Sequence, residues 1–196
     1  MEEGQEKVEE SQNSRTPFVT TFHPRNLVAG KIIRRNLPDQ LPGTFPCNRT
    51  SCRTCSHVNS SSTITTPKGH VNITGHFSCI TYNVVYCLSC SKCPSIVYIG
   101  ETGRRLADRF REHRRDVING RNDLPVSAHF NQANHTLEDM KVAVLKAGLA
   151  NQEYRRRQET LLICKYGTVA PSGLNLRLWY SYLWRTLVCN RALELI

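Results

Sequence analysis

Two short apolar runs constrain this chain more than any other feature. Val84-Val85-Tyr86-Cys87-Leu88 and Ile96-Val97-Tyr98-Ile99 are rich in β-branched and aromatic residues and too short for buried helices. A brief stretch carrying Cys90, Cys93 and Pro94 joins them. Such runs read as buried strands, and so short a connection makes an antiparallel hairpin the simplest arrangement. Gly100 and Gly103 end the strand pattern. Residues 141–146 read as a third strand. Residues 104–118 read as an amphipathic helix and 124–133 as a weaker one. A last helix covers 151–166, with Asn151 as N-cap and Gly167 as its stop. The predicted fold is α/β of the α+β kind, a small three-stranded antiparallel sheet flanked by helices over residues 83–176.

Three segments flank that domain. Residues 1–45 are polar and proline-punctuated, and read as a mostly disordered tail with an acidic start. Residues 46–82 are rich in Cys, Ser and Thr, and a segment that short needs a staple. Residues 177–196 form an apolar C-terminal tail. The start lacks the pattern of a secretory signal and no run of 18 apolar residues exists, so an intracellular, non-membrane protein is expected.

Nine cysteines in a reducing compartment are more often thiols or metal ligands than disulfides. Cys90-x2-Cys93 is half a zinc site, and His129-x5-His135 could be the other half. Cys47, Cys52, Cys55 and Cys79 could make a second, all-cysteine site, with His70 and His76 as alternative ligands. Free thiols are the plainer reading of both groups.

Two helices aim ionisable residues inward. Leu106, Phe110, His113 and Val117 share one helix face, and Arg109 lies at its edge. Glu159 shares a face with Leu162, Ile163 and Tyr166. A lone buried carboxylate is costly unless a cation compensates it. Each residue alone has a plainer reading: a satisfied core histidine, or a glutamate paired with Arg155 or Arg156. Together, beside two strand tyrosines, they favour a site.

The formal net charge is +10. That surplus points to a polyanionic partner such as DNA, RNA or anionic membrane. Arg104, Arg105, Arg114, Arg115, Arg155 and Arg156 are the candidate contacts to a nucleic-acid backbone. A merely solvated helix face is the alternative.

These residues resemble the GIY-YIG endonuclease superfamily. Val84-Val85-Tyr86 stands where its first strand motif would be, and Tyr98-Ile99-Gly100 is an unaltered second motif. Arg109 and His113 match the Arg-x3-His pair of the first helix, Glu159 the metal-binding glutamate, and Asn175 a late asparagine. Val84 and Val85 replace Gly and Ile. The upstream cysteines, the Cys-x2-Cys between the tyrosines and the run Tyr98-Ile99-Gly100-Glu101-Thr102-Gly103-Arg104 look like the endonuclease end of Penelope-like retroelements. Residues 18–45 look like a remnant of the region preceding it there.

The resemblance implies a retroelement-derived, nuclear, metal-dependent DNA endonuclease. Its site would comprise Tyr86, Tyr98, Arg109, His113, Glu159 and Asn175. Glu159 would hold one Mg²⁺ or Mn²⁺. Arg109 would hold the scissile phosphate. Tyr86 would take a proton from water, with His113 sharing that role and Tyr98 orienting. Asn175 would support the site by hydrogen bonding, and one or two zinc ions would be structural. The alternative is a catalytically inactive, zinc-stabilised DNA-binding module of the same fold.

Overall fold

The computed structural model describes residues 40–176; the readings of residues 1–39 and of the 177–196 tail lie outside the described residues. Strand β1 (Gly43–Phe45) is followed by a 3₁₀ turn at Cys55–His57, β2 (Thr63–Thr66), β3 (Gly69–Asn72) and β4 (His76–Ser78). Then come β5 (Val84–Cys90), β6 (Val97–Thr102), α1 (Leu106–Ile118) and α2 (Pro125–Phe130). A 3₁₀ turn at Leu137–Asp139, β7 (Met140–Lys146) and α3 (Gln152–Tyr166) complete the order. The described residues are thus mixed α/β, with small antiparallel sheets, a short parallel pair of β1 with β4, three helices and a Cys-rich segment ahead of them.

The two apolar runs form the antiparallel hairpin β5–β6, with Tyr86 opposite Gly100 and Leu88 opposite Tyr98. The third strand, β7, joins β5 rather than β6, giving the order β6-β5-β7. This makes β5 central, and every residue of it is buried. A central strand covered on both faces should read as a continuous apolar run, as this one does.

Alternation along the strands divides the core into two layers. Val84, Tyr86, Leu88, Val142 and Val144 face α1 and α2, packing with Leu106, Phe110, Val117 and Phe130. Val85, Cys87, Val97, Ile99, Ala143 and Leu145 face α3, packing with Leu162 and Ile163.

The Cys-rich segment contributes to that second layer: Ile64 and Val71 of the β2–β3 hairpin, with Ile73, join it. It is tied to β7 as well. Val58 bridges Val142, and the His57 ring nitrogen lies 2.9 Å from the Met140 carbonyl. Thr44, within the stretch read as tail, is fully buried, and its hydroxyl accepts from the Val144 amide at 2.8 Å.

Helix ends follow local chemistry. The Asn151 side chain accepts from the Tyr154 amide at 2.8 Å, capping α3, and Gly167 ends it at φ +66°. That left-handed conformation suits glycine. The first turn of α1 is satisfied from outside the helix: the Leu106 and Ala107 amides donate to the carbonyls of Thr81 and Cys79 at 2.8 and 2.9 Å. Among the described residues no helix is long and apolar enough to cross a membrane.

Candidate functional site

The buried residues of α1 are Leu106, Phe110, His113 and Val117, so His113 sits on the sheet-facing stripe. There it meets Tyr86 from β5. The Tyr86 Oη and His113 Nε2 are 2.8 Å apart, and Arg109 Nε donates to the same Oη at 3.0 Å. Burial, then the Arg109 charge, hold the His113 imidazole down at about 3. A neutral His113 accepts through Nε2. The chain therefore runs from the Arg109 N–H to the Tyr86 oxygen, and from the Tyr86 O–H to His113.

The Tyr98 ring completes the cluster, 5.5 Å from the His113 ring and 6.4 Å from the Tyr86 ring. Burial raises both phenols above their ordinary value, and the Glu159 charge adds to the rise in each. The Arg109 charge opposes both shifts. Tyr86 is therefore a protonated phenol at neutral pH.

Glu159 stands on α3, 3% exposed, with one carboxylate oxygen buried and without a hydrogen-bond partner. Burial, then the nearby Glu101 charge, push its carboxyl up to about 8, against the pull of the Glu101 amide, Arg156 and Arg109. A buried, under-satisfied carboxylate oxygen is what a cation would relieve. The plainer expectation is a pairing of Glu159 with Arg155 or Arg156: the Arg156 charge does favour the ionised Glu159 carboxyl, but Arg155 is engaged elsewhere. Arg155 pairs instead with Glu101, Nε to Oε2 at 2.5 Å.

That pairing corrects a second expectation. Arg155, read as a phosphate contact, is 5% exposed, and it also donates to the Leu149 carbonyl at 2.8 Å. A buried guanidinium already committed to a carboxylate and a carbonyl cannot reach a nucleic-acid backbone. Arg156 lies 3.7 Å from the same Glu101. Arg104 pairs with Glu112 at 2.6 Å and Arg105 with Asp108 at 2.8 Å, both at the surface. Arg115 is exposed and Arg114 half-buried.

Asn175 is brought close to the site, but its side chain serves the backbone. Its Oδ1 accepts from the Ile99 amide at 3.0 Å and the Thr168 hydroxyl at 2.7 Å, and its Nδ2 donates to the Ile99 carbonyl at 2.7 Å. It pins β6 between the motif residues Tyr98 and Gly100. Glu112 was not anticipated. It bridges Arg104 and Arg109, holding the latter at 2.7 Å. The i,i+3 spacing from Arg109 carried that signal. Nothing local marked Glu101.

Both cysteine groups converge. The ligand atoms of Cys47, Cys52, Cys55 and Cys79 lie within 4.8 Å of one another, as do those of Cys90, Cys93, His129 and His135. The Cys47 and Cys79 sulfurs stand 3.7 and 3.8 Å from that of Cys55. These separations are far from a disulfide and match the ~3.8 Å edge of a tetrahedron with Zn–S of about 2.3 Å.

Without a metal, the thiols of this cluster shift in opposite directions. Burial pushes the Cys79 thiol up. Burial also acts to raise Cys52, but hydrogen bonds from the Thr54 backbone and the other three cysteines outweigh it and bring that thiol to about 7. In the second group, Cys93 Sγ is 3.3 Å from His135 Nε2, and His129 Nε2 is buried without a partner. Burial and His135 lower His129, which favours the neutral imidazole that a metal needs. Both clusters could hold a metal ion such as zinc. His70 and His76, the alternative ligands, fall outside them.

No family model, no curated protein and no solved structure matches the chain.

Proposed function

We propose that this chain is a metal-dependent DNA endonuclease of the GIY-YIG kind, akin to the endonuclease part of Penelope-like retroelements, with zinc stapling both cysteine clusters. The observation that carries the reading is that Glu159, with its unpartnered buried oxygen, interacts electrostatically with Tyr86, Tyr98 and Arg109, two of which belong to the Arg109–Tyr86–His113 hydrogen-bond chain. Acid-base residues with strongly shifted protonation, clustered around one arginine, are the arrangement that phosphodiester hydrolysis requires.

Glu159 is the residue to hold a divalent ion, and a single carboxylate suits Mg²⁺ or Mn²⁺ retaining most of its waters. Such an ion, when bound, supplies charge neutralisation at the phosphoryl oxygens and lowers the pKa of a coordinated water. Arg109, its side chain 30% exposed, offers the rest of its guanidinium to the scissile phosphate. An attacking water passes a proton to the Tyr86 oxygen while the phenol's own proton moves to His113 Nε2. The imidazole becomes an imidazolium, a form that burial and the Arg109 charge disfavour and that a phosphate bound at Arg109 would favour. Tyr98 positions water or phosphate beside it. Glu112 fixes the Arg109 fork, and Asn175 fixes the β6 backbone.

One observation favours the inactive DNA-binding module. Tyr86 is fully buried, so water must reach it past Arg109. A plasmid-nicking assay with Mg²⁺ or Mn²⁺ separates the two readings. The nuclease reading expects cutting by the wild type and loss of it in Glu159→Ala and Arg109→Ala. A zinc-loaded wild type that binds DNA and leaves the plasmid intact would establish the inactive module instead.

A further inference from the structure

An open cleft of about 290 Å³ lies between α1 and the loop of the all-cysteine cluster. Cys52, Arg53 and Thr54 line one side, and Ala107, Arg111 and Arg114 the other. Its charge is poorly compensated. Asp108 is the carboxylate that reaches Arg111, at 2.6 Å, and it is shared with Arg105. Among the described residues Arg53 and Arg114 have no ion-pair partner. The Arg114 Nε–H is buried and lacks any hydrogen-bond partner. A buried guanidinium donor left unmatched calls for an acceptor.

The place of the cleft on α1 gives that acceptor an identity. At 3.6 residues per turn, Ala107, Arg111 and Arg114 share one flank of the helix, and Arg109 falls almost opposite. The ridge between the flanks carries Arg115 with Asp108 and Glu112, and both carboxylates are taken up in ion pairs, Asp108 with Arg105 and Arg111 and Glu112 with Arg104 and Arg109. A helix with its side chains is about 10–12 Å across, close to the ~12 Å width of the B-DNA major groove.

We propose that the cleft is a second phosphodiester site, and that it grips the DNA strand opposite the one held at Arg109, with α1 lying in the groove between them. This rests on the nuclease reading for the identity of the polymer, but it concerns binding and not cutting. Arg53 ties the cysteine loop to the same strand, so that loop forms part of the DNA interface.

The test is duplex and single-strand binding by fluorescence anisotropy over a range of salt. It uses the zinc-loaded full chain carrying Glu159→Gln, which prevents cutting, with and without Arg53→Ala, Arg111→Ala and Arg114→Ala together. Each lost phosphate contact lowers the slope of log K against log salt by about 0.9, so the triple variant is expected to lose roughly two to three units on duplex DNA, with affinity down tenfold or more. Single-strand binding should change far less, and the charge control Lys165→Gln on α3 should leave both intact.

An unchanged duplex slope overturns the proposal, as does an equal loss on single strands. If the arginines merely offset the charge of four thiolates, the triple variant loses zinc and keeps its duplex slope. Arg111→Glu provides a variant that spares the cysteine loop, since this side chain is 71% exposed. It should by itself weaken duplex binding with zinc retained, and unchanged binding there also overturns the proposal. A wild type that binds no duplex does so too. A wild type that binds by this pattern and never nicks plasmid sinks the nuclease reading and leaves the cleft assignment standing.

Discussion

Gly100 and Tyr86 face each other across the central hairpin, and the Tyr86 phenol occupies the space that a side chain at position 100 would need. A Cβ there would stand 2.8 Å from Tyr86 Oη and 2.7 Å from the Tyr98 ring. Gly100→Ala should therefore displace the phenol from His113. The expected cost is about 1–3 kcal/mol by urea denaturation, as for overpacking of a core. Nicking should fall on the order of 100-fold or more, the usual worth of a positioned acid-base group.

Tyr86→Phe separates chemistry from packing. The ring volume is kept, while His113 loses its donor and Arg109 Nε its acceptor. A stability loss of about 1–3 kcal/mol is expected from the unmatched donor. Cleavage should fall by roughly 10²–10⁴-fold, the range for general acid-base catalysis. Retained cleavage would remove Tyr86 from the mechanism and leave His113 to receive the water's proton directly.

The raised Glu159 carboxyl gives a signed pH prediction. A proton and a divalent ion compete for it, and it titrates at about 8 without metal. Mn²⁺ affinity should climb with pH, roughly tenfold per unit below that value, and level off above it. The metal-free protein should behave oppositely. Its folded state holds the proton more tightly than the unfolded chain, so stability contributed by the protonated group is present below about 4.5 and declines as pH rises towards 8. Calorimetric titration of Mn²⁺ at several pH values checks the first trend. Glu159→Gln should abolish both.

Metal analysis of the gently purified protein should find two zinc ions per chain, one for each cluster. Cys55→Ala and His129→Ala should each remove one. Because metal binding and folding are linked at such sites, a strong chelator should unfold the segment around Cys47–Cys79. A preparation that is folded and zinc-free would remove both staples.

Asn175→Ala should act on stability more than on chemistry. Its amide makes three buried hydrogen bonds to Ile99 and Thr168. Their loss should cost about 2–4 kcal/mol in urea denaturation. The pH dependence of any residual cleavage should keep its shape, because no proton in the proposed relay passes through this residue.

What could be read from the sequence was local in origin. The hairpin, the faces of α1 and α3, the Asn151 cap and the Gly167 stop all follow from periodicity and short-range chemistry. His113 and Glu159 stood out because each interrupts an apolar stripe. The cysteine and histidine pairs were legible as metal half-sites because ligand spacing is a short-range property. Partner choice over long range was not legible. Arg155 looks like its neighbours Arg156 and Arg157, and only a carboxylate 54 residues away in the chain buries it. The β2–β3 hairpin was equally silent: Ile64, Val71 and Ile73 are isolated apolar residues in a polar segment, and their burial depends on the α3 side of the sheet.

The two amides that open α1 have a consequence for how this protein can be divided. They are held by the carbonyls of Cys79 and Thr81, upstream of every strand in the central sheet. A fragment starting at Asn83 would keep all six residues of the proposed site and still begin its arginine-bearing helix without those two partners. The cysteine segment and the sheet are therefore not interchangeable cassettes. Recombination or engineering that joins one to a foreign copy of the other must preserve this short seam, or the helix will start in the wrong place.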